Sequence, residues 1–322
     1  MNSRVLEVRD LSVEYATDNG AVRAVQEASF SLCGGEWFGL VGESGCGKTT
    51  LLLALLRMIQ PPGRIVSGSI LLEGTDLLCL SVEQMRRMRL ASISLIPQGA
   101  MNSLNPVMRV GAQIALAMRE HGEHLSGREL NRKVSELFSL VGLPAGAEQC
   151  YPHELSGGMK QRVCIAAAIS LRPRLVLADE PTSALDVVVQ RRVMQTLKAL
   201  QQSFGMTVLL VGHDIGLMAQ TTDRIGVMYA GRIVEIGATR EVLSSPLHPY
   251  TRLLRASVPS LHQRWEPEGI PGSPPSLREP PEGCLFRWRC PKRTETCDTR
   301  TPVLRQVSEG RSVACWQRSR GI

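Results

Sequence analysis

The chain has 322 residues, which is enough to bury a large core and excludes a peptide hormone or a small disulfide knot. Its 37 Lys and Arg residues outnumber 30 Asp and Glu residues, and the net charge of +7 suits an anionic partner or an ordinary solvated basic surface. A membrane-spanning helix needs about 18 nearly uncharged apolar residues, whereas the leucine-rich run Leu51–Leu56 ends at Arg57. The N-terminus lacks the apolar stretch of a secretory signal, so we expect a cytosolic chain whose nine cysteines form no structural disulfides.

The order of apolar runs along the chain predicts an α/β fold. Residues Val5–Tyr15 roughly alternate between apolar and polar and predict a half-buried strand. Gly34-Gly35 then turns the chain into the short apolar strand Trp37–Val41, which a glycine-rich loop and a leucine-rich helix follow. Further strands, several of them apolar enough to be covered on both faces, are predicted at Ser92–Ile96, Arg174–Ala178, Met206–Val211 and Arg224–Met228.

Two regions depart from this alternation of strands and helices. Residues Val107–Leu143 have helical periodicity, which predicts a helical insertion in the core. Residues 256–322 hold nine of the nineteen prolines, with eleven Lys and Arg against seven Asp and Glu. We therefore predict an α/β domain at residues 1–255 with a helical subdomain at about 103–170, and a basic, Pro-rich and Cys-rich extension at residues 256–322.

A phosphate-binding loop is predicted between the first buried strand and the following helix. The sequence Gly42-Glu-Ser-Gly-Cys-Gly47-Lys48-Thr49 fits the pattern G-x-x-x-x-G-K-[ST] in the strand–loop–helix setting that it requires. Backbone N–H groups and the helix N-terminus favour phosphate oxygens, Lys48 suits the outer phosphates and Thr49 suits Mg²⁺. The alternative is a chance glycine-rich turn. The predicted ligands are ATP and Mg²⁺, and the candidate binding residues are Gly42, Glu43, Ser44, Gly45, Cys46, Gly47, Lys48, Thr49 and Thr50.

An acidic pair follows a later apolar strand. Leu175-Val-Leu-Ala-Asp179-Glu180 places two carboxylates at the carboxyl end of the strand, where nucleotide crevices form in α/β sheets. Asp179 is suited to orient Mg²⁺ and its waters, and Glu180 to polarise an attacking water. An Asp-Glu pair alone is usually a solvated turn, but its position well downstream of a phosphate loop favours the catalytic interpretation.

The segment Leu155-Ser156-Gly157-Gly158-Met-Lys-Gln161-Arg162 resembles the signature sequence of ABC-transporter ATPases. A serine and two glycines at a helix N-terminus are suited to bind phosphate oxygens. In that family this loop covers the ATP that is bound to the opposite subunit, so Ser156, Gly157, Gly158 and Gln161 are candidate nucleotide-binding residues. Since the chain has one phosphate loop and one signature, the resemblance implies a dimer with itself or with a related chain.

The resemblance extends from Val5 to about Pro249 in the family's order of motifs. It implies that Tyr15 stacks on adenine, that Gln98 joins Mg²⁺ to the membrane-subunit interface, that Ser183–Asp186 crosses the dimer, and that His213 contacts the terminal phosphate. Taken singly, Tyr15 is also explained as a strand aromatic, Gln98 as a loop amide and His213 as a core histidine. Gly212 departs from the hydroxyl residue that commonly precedes this histidine, yet all the groups for hydrolysis are present.

Three further segments resemble the oligopeptide, dipeptide and nickel importer branch, most closely its dipeptide "D" ATPase: Gln98–Pro106, Tyr151–Arg162 and His248–Thr251. The resemblance implies import of peptides through two separate membrane permease subunits, with a second, related ATPase and an external substrate-binding protein, and a peripheral position at the cytoplasmic face of the membrane. The alternatives are import of nickel or another small solute, or a soluble ABC ATPase that acts on nucleic acid or ribosomes. A regulator without turnover is disfavoured by Glu180.

Four cysteines in the extension, Cys284, Cys290, Cys297 and Cys315, have the spacing C-x5-C-x6-C-x17-C. Four thiolates suit structural zinc, but zinc sites more often use C-x2-C pairs. Four thiolates also suit a four-iron, four-sulfur cluster, and the segment Cys284–Pro291 resembles the cysteine-rich extension of dipeptide-importer ATPases, for which such clusters are described. We therefore expect an iron–sulfur cluster first, zinc second and free thiols third.

Overall fold

The computed structural model describes residues 3–99, 103–122, 125–183, 185–257, 269–278 and 280–317, which form two compact units. The first unit comprises Met1–Val5, Cys33–Gly35 and Cys79–Leu210, and the second comprises Leu6–Leu32, Glu36–Leu78 and Val211–Ile322. The predicted domain boundary after residue 255 lies inside the second unit, and the division into a core domain and an extension stays a prediction. Over the described ranges, no helix is long and apolar enough to cross a membrane.

The described residues form a mixture of strands and helices, and each strand that the sequence predicts is present among them. The strands are β1 (Arg4–Thr17), β2 (Gly20–Cys33), β3 (Trp37–Val41), β4 (Gly63–Leu72), β5 (Thr75–Asp76), β6 (Ile93–Ile96), β7 (Leu175–Asp179), β8 (Thr207–Gly212), β9 (Arg224–Tyr229), β10 (Arg232–Ala238), β11 (Arg305–Ser308) and β12 (Arg311–Val313). The α-helices are α1 (Lys48–Leu55), α2 (Val82–Met88), α3 (Val110–Glu120), α4 (Gly127–Leu140), α5 (Gly157–Ile169), α6 (Val187–Phe204), α7 (Ile215–Thr221), α8 (Thr239–Ser244), α9 (Pro249–Ala256) and α10 (Thr296–Thr299).

The second unit contains two groups of strands. An antiparallel group has the order β2-β1-β4-β5, in which Leu6 lies opposite Leu72 and Tyr15 lies opposite Gly63. The other group has the order β11-β12-β10-β9-β3, with β3 and β9 parallel and the remaining pairs antiparallel. All five residues of β3 are buried, as expected for a strand that is covered on both faces. Helix α1 begins directly after the loop that follows β3.

The first unit combines short buried strands with long helices. Strands β6 and β7 are parallel, with Ile96 opposite Ala178, and β8 lies beside β7 and carries the chain into the second unit. The helices predicted at Val107–Leu143 are present as α3 and α4, whereas the helical subdomain at about 103–170 stays a prediction. Helix α4 begins with a capping box between Ser126 and Glu129, which satisfies N–H groups that a helix start otherwise leaves unpaired.

Candidate functional site

The predicted phosphate loop joins β3 to α1 in the second unit. Two of its positions admit only glycine. A Cβ atom at Gly42 would lie 2.1 Å from the carbonyl oxygen of Met228, and one at Gly47 would lie 2.2 Å from that of Ala24. Gly47 also has φ = 105°, a conformation that side chains rarely adopt. The close contacts hold the loop backbone against β9 and β2, which fixes the direction of its N–H groups.

Lys48 and Cys46 are the buried side chains of this loop. The Nζ atom of Lys48 donates to the carbonyl oxygens of Gly42 (2.7 Å) and Glu43 (3.0 Å), so the ammonium group lies within the curve of the loop. Burial raises the pKa of the Cys46 thiol, which keeps it protonated beside Lys48. The other predicted ligands are on the outside of the loop or at the start of α1: Ser44, Gly45 and Thr49 are exposed, and Thr50 is half-buried.

Glu43 is held by three partners, two of which the sequence analysis did not find. Its backbone N–H donates to the Tyr250 hydroxyl (2.9 Å), and its carbonyl oxygen accepts from Lys48. Its carboxylate accepts two hydrogen bonds from Arg289, at 2.7 and 2.8 Å. The carboxylate raises the pKa of Arg289 above its usual value, so the guanidinium of this pair stays charged.

The acidic pair lies at the end of β7 in the first unit. Asp179 is the last residue of that buried strand and is 4% exposed. Glu180 follows with φ = 43°, a left-handed conformation that is uncommon outside glycine and often marks functional sites. Its Oε2 atom accepts a hydrogen bond from Nε2 of Gln98 (3.1 Å). The structure thus brings together two predicted site residues that are 82 positions apart in sequence.

The signature segment forms the start of α5, also in the first unit. Ser156 is the exposed N-cap residue, and its hydroxyl accepts from the N–H of Met159 at 3.4 Å. Gly157 and Gly158 form the first turn, and a Cβ atom at Gly158 would lie 2.6 Å from Cγ1 of Val189 on α6. Gln161 is buried one turn further along the helix. This arrangement leaves the N-terminus of α5 open, as an anion-binding loop requires.

Tyr15, His213 and the Ser183–Asp186 loop are the remaining candidate site residues. The ring of Tyr15 on β1 lies over Gly63 of β4, where an added Cβ atom would be 2.5 Å from Tyr15 Cε1. His213 follows β8 and is exposed, so the alternative of a core histidine is wrong. Asp186 caps α6 by accepting from the N–H groups of Val188 and Val189, whereas Ala184 of the same predicted loop lies outside the described residues.

The four cysteines of the extension influence one another electrostatically, and no metal-ion group is found at them among the described residues. Burial raises the pKa of the Cys284 thiol to about 12, and the other three cysteines add to this shift to a smaller extent. The N–H of Cys284 donates to the carbonyl of Cys297 at 2.7 Å, and all four are free thiols. Over the ranges that the structure describes, no group of three or more His, Cys, Asp or Glu residues could hold a metal ion. The structure therefore does not support the predicted zinc or iron–sulfur centre.

Two protein-family profiles match the chain. The profile of the ABC transporter family matches residues 25–183, and a profile described as the oligopeptide/dipeptide transporter C-terminal region matches residues 234–297. The dipeptide transport ATP-binding protein DppD of Bacillus subtilis (strain 168) is 41% identical over 317 residues, covering 97% of this chain and 94% of that protein. The oligopeptide transport ATP-binding protein OppD of Salmonella typhimurium is 42% identical over 316 residues, covering 97% and 93%.

A solved structure gives the same fold. The chain resembles an ATP-binding cassette determined as a dimer in a post-hydrolysis state bound to ADP and Pi, with a TM-score of 0.66 and 25% identity, covering 73% of this chain and 99% of that one. The protein therefore belongs to the ATP-binding proteins of ABC transporters, with the P-loop α/β fold of that family. Its C-terminal region matches that of the oligopeptide and dipeptide transporters, which confirms the family predicted from the signature and phosphate loop.

Proposed function

We propose that this chain binds and hydrolyses ATP to energise the uptake of dipeptides and oligopeptides through separate membrane subunits. The observation that carries the peptide assignment is the match of residues 234–297 to the C-terminal region of oligopeptide/dipeptide transporters, in a chain that also matches the ABC ATPase. The relatives from Bacillus subtilis and Salmonella typhimurium, named for dipeptide and oligopeptide transport, support the same substrate class.

The phosphate loop is the proposed binding site for the ATP phosphates. Its N–H groups and the N-terminus of α1 attract the phosphate oxygens, and Lys48 neutralises the outer phosphates. Tyr15 stacks on the adenine ring. Thr49, Gln98 and Asp179 would offer oxygen donors to Mg²⁺, a hard cation that would neutralise phosphate charge and orient water.

Glu180 is the proposed general base, because its carboxylate can accept a proton from the attacking water. Gln98 fixes the direction of that carboxylate through the 3.1 Å hydrogen bond from its amide nitrogen, which leaves the amide oxygen to act as a cation ligand. His213 is proposed to donate a hydrogen bond to the terminal phosphate. Gln161, Ser156, Gly157 and Gly158 are proposed to act on ATP bound to a second ATPase subunit.

The partners follow from this arrangement. A second ATPase subunit, of the same or a related sequence, completes each site with its own signature segment. Two permease subunits form the transport path, and a substrate-binding protein delivers peptide. The chain itself is peripheral, at the cytoplasmic face of the membrane. Its relatives, which are named as dipeptide and oligopeptide transport ATP-binding proteins, support these assignments.

A polynuclear iron–sulfur cluster remains the proposed ligand of the four cysteines. Their mutual electrostatic influence supports a shared site. A single zinc ion needs four donors at about 2.0–2.3 Å. A cluster of several iron and sulfide ions separates its thiolates more widely. We propose a structural role, because ATP hydrolysis needs no electron transfer.

The proposed function is tested by capturing the tagged chain from native membranes, identifying its subunits and reconstituting them in proteoliposomes. We expect ATP-dependent uptake of a labelled dipeptide that requires the binding protein. Uptake of nickel without uptake of peptide would overturn the substrate class. Capture of ribosomes or nucleic acid in place of membrane proteins would favour the soluble ABC ATPase and overturn the transport function.

A further inference from the structure

The guanidinium of Arg289 is saturated with hydrogen bonds although it lies in a short turn of the C-terminal region. Its side chain is 4% exposed. Besides the two bonds to the Glu43 carboxylate, it donates to the Tyr229 hydroxyl (3.3 Å) and to the carbonyl oxygens of Pro271 (2.8 Å) and Ile270 (3.2 Å). A guanidinium has five N–H donors, so each of them has an acceptor. Such a site fixes the charge in one place and one orientation.

The turn that carries Arg289 is anchored by an aromatic cluster. Phe286, three residues earlier, is 1% exposed, and its ring centroid lies 5.1 Å from that of Tyr229 and 5.4 Å from that of Tyr250. The Tyr229 and Tyr250 rings are 4.6 Å apart. Tyr250 is also the residue whose hydroxyl accepts from the N–H of Glu43. The aromatic cluster therefore supports both the arginine and the backbone of the loop that it contacts.

The negative charge of Glu43 matters for nucleotide binding because of its position in the phosphate loop. It is the second residue of the phosphate loop, where an unpaired carboxylate repels the phosphates of a nucleotide. The bidentate pair with Arg289 neutralises that carboxylate. Both carboxylate oxygens accept hydrogen bonds from this residue of the C-terminal region. A glutamate at this position is then compatible with an anion-binding loop.

We propose that Arg289 is a positioning residue for nucleotide binding, through which the C-terminal region holds Glu43 and keeps its negative charge away from the phosphates. The inference rests on the proposed binding of ATP at the phosphate loop. The C-terminal region then contributes to nucleotide binding through its contact with Glu43.

The test is a double-mutant cycle on the full-length chain, with the dissociation constant of a non-hydrolysable ATP analogue measured by calorimetry. Arg289→Met leaves the Glu43 carboxylate unpaired, and we expect the affinity to fall about tenfold, since an unpaired charge accounts for much of the cost of breaking such a pair. Glu43→Gln in the Arg289→Met background removes the repelling charge and restores the affinity to within about threefold of the starting protein. Arg289→Lys keeps the charge but loses the paired geometry, and gives an intermediate affinity.

The controls separate an electrostatic role from a structural one. Arg305→Met removes an exposed arginine from the same region and leaves the affinity unchanged. Added salt reduces the deficit of Arg289→Met, because it screens repulsion between carboxylate and phosphate. Equal affinity of Arg289→Met and the starting protein would overturn the inference. So would a deficit that Glu43→Gln does not relieve, since the contact would then only support the fold. Failure of the starting protein itself to bind the analogue would instead overturn the proposed function.

Discussion

The amide nitrogen of Gln98 lies 3.1 Å from Oε2 of Glu180 and donates a hydrogen bond to it. The two residues follow the parallel strands β6 and β7, whose carboxyl ends lie at the same edge of the sheet. Gln98 therefore fixes the orientation of the carboxylate that we assign as the general base.

Glu180→Gln is expected to retain ATP binding and to lose nearly all turnover. The amide has the shape of the carboxylate but lacks its basicity, and loss of a general base typically costs about 10²–10⁴-fold in rate. Phosphate release by the assembled transporter and the dissociation constant for ATP measure the two effects. Glu83→Gln, which changes an exposed carboxylate on α2, is the matched control. Turnover of Glu180→Gln at the normal rate would show that another group takes the proton.

Ser156→Arg is expected to inactivate the site whose phosphate loop belongs to the other ATPase subunit. The isolated chain should hydrolyse ATP poorly and gain activity with its partners, because the signature segment acts across the dimer. The affected site is identified in complexes in which one subunit carries Ser156→Arg. In these complexes the two phosphate loops are inactivated one at a time, and the remaining ATPase activity is measured. Ser156→Thr keeps the helix cap, and Ser203→Arg places the same charge on an exposed position of α6. Normal activity of a complex containing Ser156→Arg would contradict the trans arrangement.

Gly158→Ala is expected to destabilise the chain by about 1–3 kcal/mol, since the added methyl group overlaps Cγ1 of Val189 at 2.6 Å. Val189→Ala in the same chain should recover most of this loss. Gly127→Ala is a matched control at the first residue of α4, where an added Cβ atom meets nothing within 4 Å. It should be neutral or stabilising by up to about 1 kcal/mol. Denaturant unfolding measures each change, and an equal loss from both alanines would remove the steric explanation.

The stability of the second unit is expected to fall as the pH decreases below about 6.5. Burial lowers the pKa of His248 from 6.5 to about 3, and its Nδ1 accepts from the N–H of Tyr250. Between these pH values the unfolded chain binds a proton that the folded chain does not, so stability rises with pH across this window. One such group contributes a loss of about 1.5 kcal/mol between pH 6.5 and pH 5.

His248→Asn tests this assignment, because asparagine can cap α9 without titrating. The free energy of unfolding of this variant should depend less on pH between 5 and 6.5 than that of the starting protein, by about the same 1.5 kcal/mol. His153→Asn changes an exposed histidine and should leave the pH dependence as it was. An unchanged slope in His248→Asn would exclude His248 as its source.

Anaerobic purification is expected to yield a chain with iron and sulfide in equal amounts and with visible absorption. Replacing Cys284, Cys290, Cys297 or Cys315 by serine should remove both, because we propose each thiolate as a ligand of the cluster. Cys79→Ser, which changes an exposed cysteine of the first unit, is the control. Stoichiometric zinc without iron would show that the four cysteines bind zinc and would overturn the cluster assignment. No metal, with four titratable thiols, would exclude a metal site.

The two motifs that we assign to phosphate binding were predictable because each depends on neighbouring residues. Gly42 to Thr49 and Ser156 to Gly158 are contiguous, and the helix that each segment begins is set by its own sequence. The same holds for the helices α3 and α4. Strand β4 was not predicted, since Ser67, Gly68 and Ser69 interrupt its apolar pattern, and its identity as a strand depends on pairing with β1.

The contact between Glu43 and Arg289 could not be predicted, since the two residues are 246 positions apart and each has a local explanation of its own. Glu43 is a variable position of the phosphate-loop pattern, and Arg289 is one of several arginines beside the cysteines. The His248–Thr251 segment resembles the peptide and nickel importer branch. Its sequence does not reveal that the Tyr250 hydroxyl accepts a hydrogen bond from Glu43 of the phosphate loop.

The pairing of β12 with β10 has a consequence for any shortened form of the protein. Ser312 lies opposite Ile236, Val313 lies opposite Glu235, and the N–H of Ala314 donates to the carbonyl of Val234. The hairpin of β11 and β12 thereby covers the backbone of β10. A chain that stops after α9 would present β10 as an open, largely apolar strand edge, which invites pairing between molecules. We therefore expect the β11–β12 hairpin to protect this edge from aggregation, and solubility to limit where the protein can be cut.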